Sequence, residues 1–299
     1  MAAMPELVRV KDSDLPRLRD WLASHLPHSW KLYGRLVEEM SGRWRGQSFY
    51  VLGWPEILAV AEGEVDPEVC KVPEFVTSPR MMSIFSPNTE HAETLLTSPG
   101  FIDWTQICFF KAVPEPVFDA VLRVIERKGG PPPETQTKQV ATAQKEDLRL
   151  IEPPEGYTVR SLDPDQDLEL VQEPYRKRKP FAEDHIRELI RAFPSTGLFD
   201  SRGECVGVEL GSEHGFLTRL HVNPSMRGRG LSKVIVSQQA KKYQDDGLPV
   251  VTVILVDNVR SLKLHSSLGF KHVCKLYEIL YLPDDSAQSN ELRSKYHHL

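Results

Sequence analysis

Residues 216–232, FLTRLHVNPSMRGRGLS, constrain the fold of this chain more than its other stretches do. A short apolar segment ends at a turn through Asn223 and Pro224, and the sequence RGRG then opens a helical pattern at Leu231. Glycines between a strand end and a helix start let backbone N–H groups approach an anion, and the helix N-terminus adds partial positive charge. The stretch predicts a strand, loop and helix that cradle a pyrophosphate.

The size and charge of the chain narrow the class of protein around this stretch. Its 299 residues suffice for two domains of ordinary size. The net charge of -5, spread along the chain, gives no reason to expect nucleic acid as a partner. The longest apolar run, 250–256, is far shorter than the roughly 20 residues of a membrane span. The four cysteines lie far apart, so we expect reduced thiols and no metal site.

Composition divides the chain into four segments. Residues 1–128 mix helical and β-prone patterns, which predicts an N-terminal α/β lobe. Residues 129–156 are rich in Pro, Gln, Thr, Lys and Glu, the composition of a solvated linker. The second domain is predicted over 157–285, and a polar tail over 286–299.

The second domain has a clear order of predicted elements. Short β-prone runs at 197–200, 205–210 and 216–222 are separated by hairpin turns and predict an antiparallel meander. The helix that follows the cradle leads to 250–256, whose apolar character suits a strand buried on both faces. A helix over 259–267, capped by Asn258, and a last strand complete the domain.

This order resembles the GNAT superfamily of acyl-CoA N-acyltransferases. In that superfamily the pyrophosphate of coenzyme A is held by the pattern (Gln/Arg)-x-x-Gly-x-(Gly/Ala), where x is any residue. Arg227, Gly230 and Ser232 stand at those places, and Ser232 departs from the usual residue. A glycine-rich helix start without any ligand is the alternative interpretation.

Several further stretches look like parts of the glycine N-acyltransferase family within that superfamily: 25–34, 53–57, 98–104, 185–194 and 246–258. The resemblance implies the GNAT fold, a mixed sheet with flanking helices, preceded by a related N-terminal α/β lobe. It implies transfer of an acyl group from acyl-CoA to glycine or a similar small amino acid, by direct attack in a ternary complex. Acyl-CoA is then a co-substrate, no cofactor stays bound, and a monomer in the mitochondrion or cytoplasm is expected.

The resemblance assigns coenzyme A to eight residues of the cradle: Val222, Asn223, Arg227, Gly228, Arg229, Gly230, Leu231 and Ser232. It assigns Asn258 to the pantetheine arm or to the strand end. His265 stands where many superfamily members have a Tyr that protonates the departing thiolate. A protonated imidazole can do this near neutral pH, and a solvent-facing histidine without a role is the alternative.

The general base is harder to place. Phe216 stands where the glycine N-acyltransferase pattern has a Glu, and Phe cannot accept a proton. His221 and Glu209 are the preferred candidates, with ordinary hairpin roles as the alternative. Strict alternation along 217–222 predicts that Thr218 and His221 lie on opposite faces of the strand.

A run of cations at 175–179, YRKRK, lies where the fold lines the entrance for the acceptor. It could bind a carboxylate or a phosphate, or be a solvated face or a nuclear signal. Two other functions stay open: acetylation of a different amine, such as a peptide N-terminus or polyamine, and acyl-CoA binding without turnover.

Overall fold

The computed structural model describes residues 5–66, 68–70, 80–172, 182–284 and 286–296. The strands, in chain order, are β1 (Leu7–Arg9), β2 (Gln47–Leu52), β3 (Ala59–Val65), β4 (Arg80–Met82), β5 (Ile84–Phe85), β6 (Cys108–Val113), β7 (Glu134–Thr142), β8 (Thr158–Arg160), β9 (Ser195–Phe199), β10 (Cys205–Gly211), β11 (Leu217–Val222), β12 (Val251–Leu255) and β13 (Lys271–Tyr281). The helices are α1 (Leu15–Ala23), α2 (Trp30–Ser41), α3 (Thr89–Leu96), α4 (Glu115–Arg127), α5 (Leu168–Gln172), α6 (Ala182–Ala192), α7 (Leu231–Asp245), α8 (Val259–Ser267) and α9 (Ala287–Tyr296). Within the described ranges, none of the helices has the length and apolar character needed to cross a bilayer.

The chain forms two compact units. Unit 1 consists of Met1–Lys138 and Lys275–Leu299, and unit 2 of Gln139–Cys274, so the division falls inside β7 and β13. The segment predicted as a linker therefore contains a nine-residue strand. The Thr and Gln residues of this segment are typical of a connector, which is why a linker was predicted. Thr also favours strands, however, and Val140 and Ala141 are fully buried in the structure.

The predicted polar tail also contains regular structure, helix α9. Its start is organised by side chains: the Ser289 hydroxyl donates to Asp284 at 2.8 Å, and the Ser289 amide donates to the Ser286 hydroxyl. Such caps satisfy amides that a helix start leaves without partners, which lets a polar segment form a helix.

Unit 1 combines two groups of strands with helices. The order β1-β2-β3-β5 forms one sheet, and β6 lies between β4 and β13 in the other group. Helices α3 and α4 pack on this second group through a core that includes Leu95, Val117, Val121 and Phe110. Val117 and Val121 lie four residues apart on one face of α4, and the burial of this face stabilises the helix.

The five strands that lie wholly in unit 2 have the order β12-β11-β10-β9-β8. The pairs from β8 to β11 are antiparallel, and β11 pairs with β12 in parallel. Helix α7 is the crossover between β11 and β12, and it buries Val234, Ile235 and Val236. The mixed α/β class and the hairpin meander predicted from the sequence are confirmed.

Candidate functional site

The predicted cradle is an open loop at the N-terminus of α7. Gly228 and Gly230 have φ angles of 80° and 78°, a left-handed conformation in which other residues are strained. A Cβ at either position would meet nothing within 4 Å, so the space above the loop is empty of protein. Gly230 caps α7 without a side-chain hydrogen bond, and the first turn contains no acidic residue. The backbone N–H groups of this turn can therefore receive an anion.

Cationic side chains surround the same loop. Arg227 and Arg229 are exposed, as is Lys233 in the first turn of α7, whereas Leu231 is buried and Ser232 half-buried. The Nε of Arg227 donates to the carbonyl of Val222 at 2.9 Å, which fixes the loop against the end of β11. Exposed guanidinium groups beside free helix amides favour a phosphate-containing ligand.

Two asparagines assigned to coenzyme A by resemblance already have structural partners. The side-chain amide of Asn223 donates to the carbonyl of Cys205 at 2.8 Å and ties the loop to β10. The side-chain oxygen of Asn258 accepts from the amide of Ser261 at 3.1 Å and caps α8. These side chains hold the backbone that would form the site, so any contact they make with a ligand uses their remaining atoms.

Strands β11 and β12 separate toward the loop. Their only paired residues are Leu217 and Thr252, at the start of both strands, in the part of the chain that the structure describes. Beyond this pair no further pairing between β11 and β12 is found among the described residues, which leaves room for a ligand along this edge of β11. Val256 and Val259, which follow β12, are 40% and 52% exposed. The gap thus has a polar edge and an apolar rim, which suits an extended arm with amide groups.

A bulge in β11 changes the alternation predicted for this strand. Val208 of β10 pairs with His221, but Leu210 pairs with Thr218, so β11 contains one extra residue. Arg219 lies in this bulge with a φ of 57°. The prediction that Thr218 and His221 lie on opposite faces depended on strict alternation, which the bulge interrupts.

Glu209 lies under α7, inside the unit. Its neighbours on the same strand face, Gly207 and Gly211, would carry Cβ atoms within 2.7 Å of Ile235 and closer still to Tyr243, both on α7. Glu209 is 1% exposed, and its Oε2 has no hydrogen-bond partner among the described residues. Burial raises the pKa of Glu209 from 4.5 to about 8, so this carboxyl is protonated at neutral pH. A protonated carboxyl cannot act as a general base.

Unlike Glu209, His221 can accept a proton at neutral pH. Its partial burial, followed by the positive charge of Arg227, lowers the pKa of His221 below 6.5. The imidazole is therefore neutral at neutral pH and can accept a proton. It shares a sheet face with its cross-strand partner Val208, whereas Glu209 lies on the opposite face. The structure does not bring the two predicted bases together.

His265 is buried, with 2% of its surface exposed, which excludes a solvent-facing position. Its Nδ1 lies 2.9 Å from the carbonyl of Ser261, and a carbonyl only accepts, so Nδ1 carries the hydrogen. Burial lowers the pKa of His265 below 6.5 despite that bond, so the ring is neutral and Nε2 has no proton. The protonated imidazole predicted as a donor is thus not the form present at neutral pH.

Sequence reasoning missed a charged cluster beside the bulge. His185 of α6 places Nε2 3.5 Å from Oε1 of Glu213 and Nδ1 3.3 Å from Nη2 of Arg219. The Nε2 of His214 also lies 3.5 Å from Glu213. Burial alone would raise the pKa of Glu213, but the two imidazoles hold it well below 4.5. His185 precedes Glu213 by 28 positions, and no local pattern in the sequence indicates their contact.

Two further predictions concern Phe216 and the cation run. Phe216 is buried, with its ring centroid 6.4 Å from that of His214, and it packs where the resemblance has a Glu. The run at 175–179 lies outside the described residues.

Comparison with known proteins agrees with this geometry. Residues 195–279, which include the loop and the separated strands, match the family model described as FR47-like protein. Among solved structures, a Drosophila protein has a TM-score of 0.75 at 17% identity, over 93% of this chain and 98% of its own. A tandem GNAT protein from the clavulanic acid biosynthesis pathway has a TM-score of 0.58 at 12% identity, over 94% and 99%. A GCN5-related N-acetyltransferase from Sphaerobacter thermophilus has a TM-score of 0.54 at 14% identity, over 95% and 99%. These similarities confirm the predicted GNAT fold, and the fold alone.

Proposed function

We propose that this chain is an acyl-CoA-dependent N-acyltransferase that acylates glycine or a similar small amino acid. The observation that carries the proposal is the N-terminus of α7, which no side chain caps, with left-handed Gly228 and Gly230, beside two strands that separate toward it. The pyrophosphate of coenzyme A would bind the amides of this turn, and the pantetheine arm would pair with the free edge of β11.

The chemistry follows from this placement of the donor. The neutral amine attacks the carbonyl carbon of the thioester, a C–N bond forms, and the C–S bond breaks to release the thiolate of coenzyme A. Backbone N–H groups at the free edge of β11 would stabilise the negative charge that grows on the carbonyl oxygen. The amine loses one proton in the process, so a base must receive it.

We assign the proton to His221. Its imidazole is neutral at neutral pH, it is half-buried, and it lies on the half of β11 that has separated from β12. At neutral pH the carboxyl of Glu209 is already protonated, and Phe216 cannot accept a proton. The thiolate leaves without a donor in this scheme, because Nε2 of His265 carries no proton at neutral pH.

The choice of glycine as the acceptor rests on the family resemblance alone. A test incubates the protein with a panel of acyl-CoAs and amino acids and measures thiol release together with the mass of the product. Acylglycine formation supports the proposal as stated. Acetylation of peptides or polyamines would instead support a different amine as acceptor, and donor binding without thiol release would leave only a binding function.

The loop assignment is tested by Gly230→Glu. A carboxylate at this position would face the pyrophosphate, and its side chain would strain a backbone with φ of 78°. We expect affinity for acyl-CoA, measured by calorimetry, to fall about 100-fold or more. Gly203→Glu is the matched control, since Gly203 has a φ of 79° and open space at its Cβ but lies in the β9–β10 turn. Unchanged affinity in Gly230→Glu would refute the loop assignment.

A further inference from the structure

Unit 1 contains a cleft of about 660 Å³, a volume typical of small-molecule sites. Phe85 of β5 with Ser86 and Pro87 after it, and residues 114–116 at the start of α4, form two of its walls. His25, His28, Lys275 and Tyr277 complete the polar part of the lining. The cleft lies wholly within unit 1, and the function proposed above does not use it.

The strands beside the cleft separate in the same way as those of unit 2. Ser83 lies between β4 and β5, and these two strands pair with different neighbouring strands. β4 pairs with β6 in parallel, with Met82 opposite Phe110, whereas β5 pairs with β3, with Phe85 opposite Val60. The cleft is lined by Phe85 of β5 and by Pro114, which directly follows β6.

The turn after β5 is not built for a phosphate. The Ser86 hydroxyl donates to the carbonyl of Asn88 at 2.8 Å, and the side chain of Asn88 accepts from the amide of His91. Glu90 adds a negative charge to the first turn of α3. The amides that receive an anion in unit 2 are here capped by the protein itself, so the cleft suits a different ligand.

Opposite charges line the cleft without pairing to each other. Lys275 and Glu115 are both exposed, and neither side chain has a hydrogen bond or an ion pair within the described ranges. The imidazole of His28 is likewise without a side-chain partner there. A ligand with one anionic and one cationic group could satisfy both sides at once, whereas a simple ion would meet one like charge.

Most of the remaining lining is apolar. Phe85 packs its ring against His25 at a centroid distance of 5.4 Å, and Pro87, Pro114 and Pro116 lie in the wall. Such a surface favours a ligand that also carries an apolar group.

We infer that this cleft binds a free amino acid with an apolar side chain. Its carboxylate would meet Lys275 and His28, its ammonium group would meet Glu115, and its side chain would lie on Phe85 and the prolines. Tyr277 supplies a phenol at the same wall, held by stacking on Phe118 at 4.4 Å.

The test follows the histidines of the cleft by NMR. The full chain is labelled with ¹³Cε1-histidine, and the signals of His25 and His28 are assigned with His25→Gln and His28→Gln. The probes share one carbon frame: phenylalanine, 3-phenylpropanoate, which lacks the ammonium group, and 2-phenylethylamine, which lacks the carboxylate. We expect phenylalanine to shift both signals saturably at pH 7.5 and to bind about tenfold more tightly than either analogue.

Charge-removing variants complete the test. Lys275→Ala and Glu115→Ala should each weaken phenylalanine about tenfold, whereas Lys128→Ala and Glu126→Ala, exposed residues of the same unit outside the cleft lining, should not. Gly230→Glu should leave the titration unchanged, which separates this site from the coenzyme A loop. Equal affinity for either single-charge analogue would refute a zwitterion site, and absence of any shift would refute a site altogether.

Discussion

Replacement of Glu209 by Gln should stabilise the protein, and more so at higher pH. The folded state holds a proton on Glu209 up to a pKa of about 8, whereas an unfolded glutamate releases it near 4.5. Between these values the folded state binds more protons than the unfolded state, so stability is lost as the pH rises. The glutamine side chain of the variant has almost the same shape as a protonated glutamate and no proton to lose.

The magnitude follows from the two pKa values. At pH 7 the ionisable carboxyl lowers the free energy of unfolding by roughly 3 kcal/mol relative to a group that never ionises. Between pH 5.5 and pH 7.5 this cost grows by about 2.5 kcal/mol. Such a difference is a large fraction of the stability of an ordinary domain.

Urea unfolding of the wild type and of Glu209→Gln over this pH range measures the effect. Hydrogen exchange in peptides from β9 to β11, recorded across the urea series, assigns the transition to unit 2. We expect the two free energies to converge below pH 4.5 and to diverge between that pH and about 8. Glu155→Gln, an exposed glutamate of the same unit, is the control and should follow the wild type. Equal pH slopes for Glu209→Gln and wild type would refute the argument.

Two further variants test the base and the backbone. His221→Gln should lower kcat about 100-fold at pH 7.5. It should also abolish the loss of kcat/KM that the wild type shows at pH values below the lowered pKa of His221, whereas the control His272→Gln, at an exposed histidine, should do neither. An unaltered pH profile in His221→Gln would show that His221 is not the base. Gly269→Ala should cost about 3 kcal/mol or more of stability, because its Cβ would clash with the carbonyl oxygen of Asp147. Gly129→Ala, with a similar positive φ and open space, should cost only about 1 to 2 kcal/mol, and equal thermal shifts for the two would contradict this reason.

The sequence predicts the elements whose signals are local. Helix α8 runs over Val259–Ser267 as expected from its Asn cap and closing glycine, and α7 begins at Leu231 directly after Gly230. Strand β7 was missed because its residues have the composition of a connector and its burial depends on neighbours far along the chain.

Only the part of the site that is formed by backbone groups was predictable from the sequence. Two glycines and a helix start define the loop, and both can be found in the sequence. The protonation of Glu209 and His265 depends on burial, and the bulge at Arg219 depends on how β11 pairs with β10. Neither burial nor register of this kind can be read from a short alternating segment.

In the proposed reaction, the two sheet faces of unit 2 would give the acceptor amine unequal access to a base. On the face of Glu209, α7 fills the space so closely that even a Cβ at Gly207 or Gly211 would clash with it. On the face of His221 the imidazole is half-buried and stays neutral at neutral pH. An amine that loses its proton to Glu209 would have to displace packed residues of α7 and reach a carboxyl that is already protonated. Approach from the His221 side meets a neutral imidazole instead, so in the proposed reaction the presence of Phe216, where the resemblance has a Glu, does not by itself leave the chain without a base.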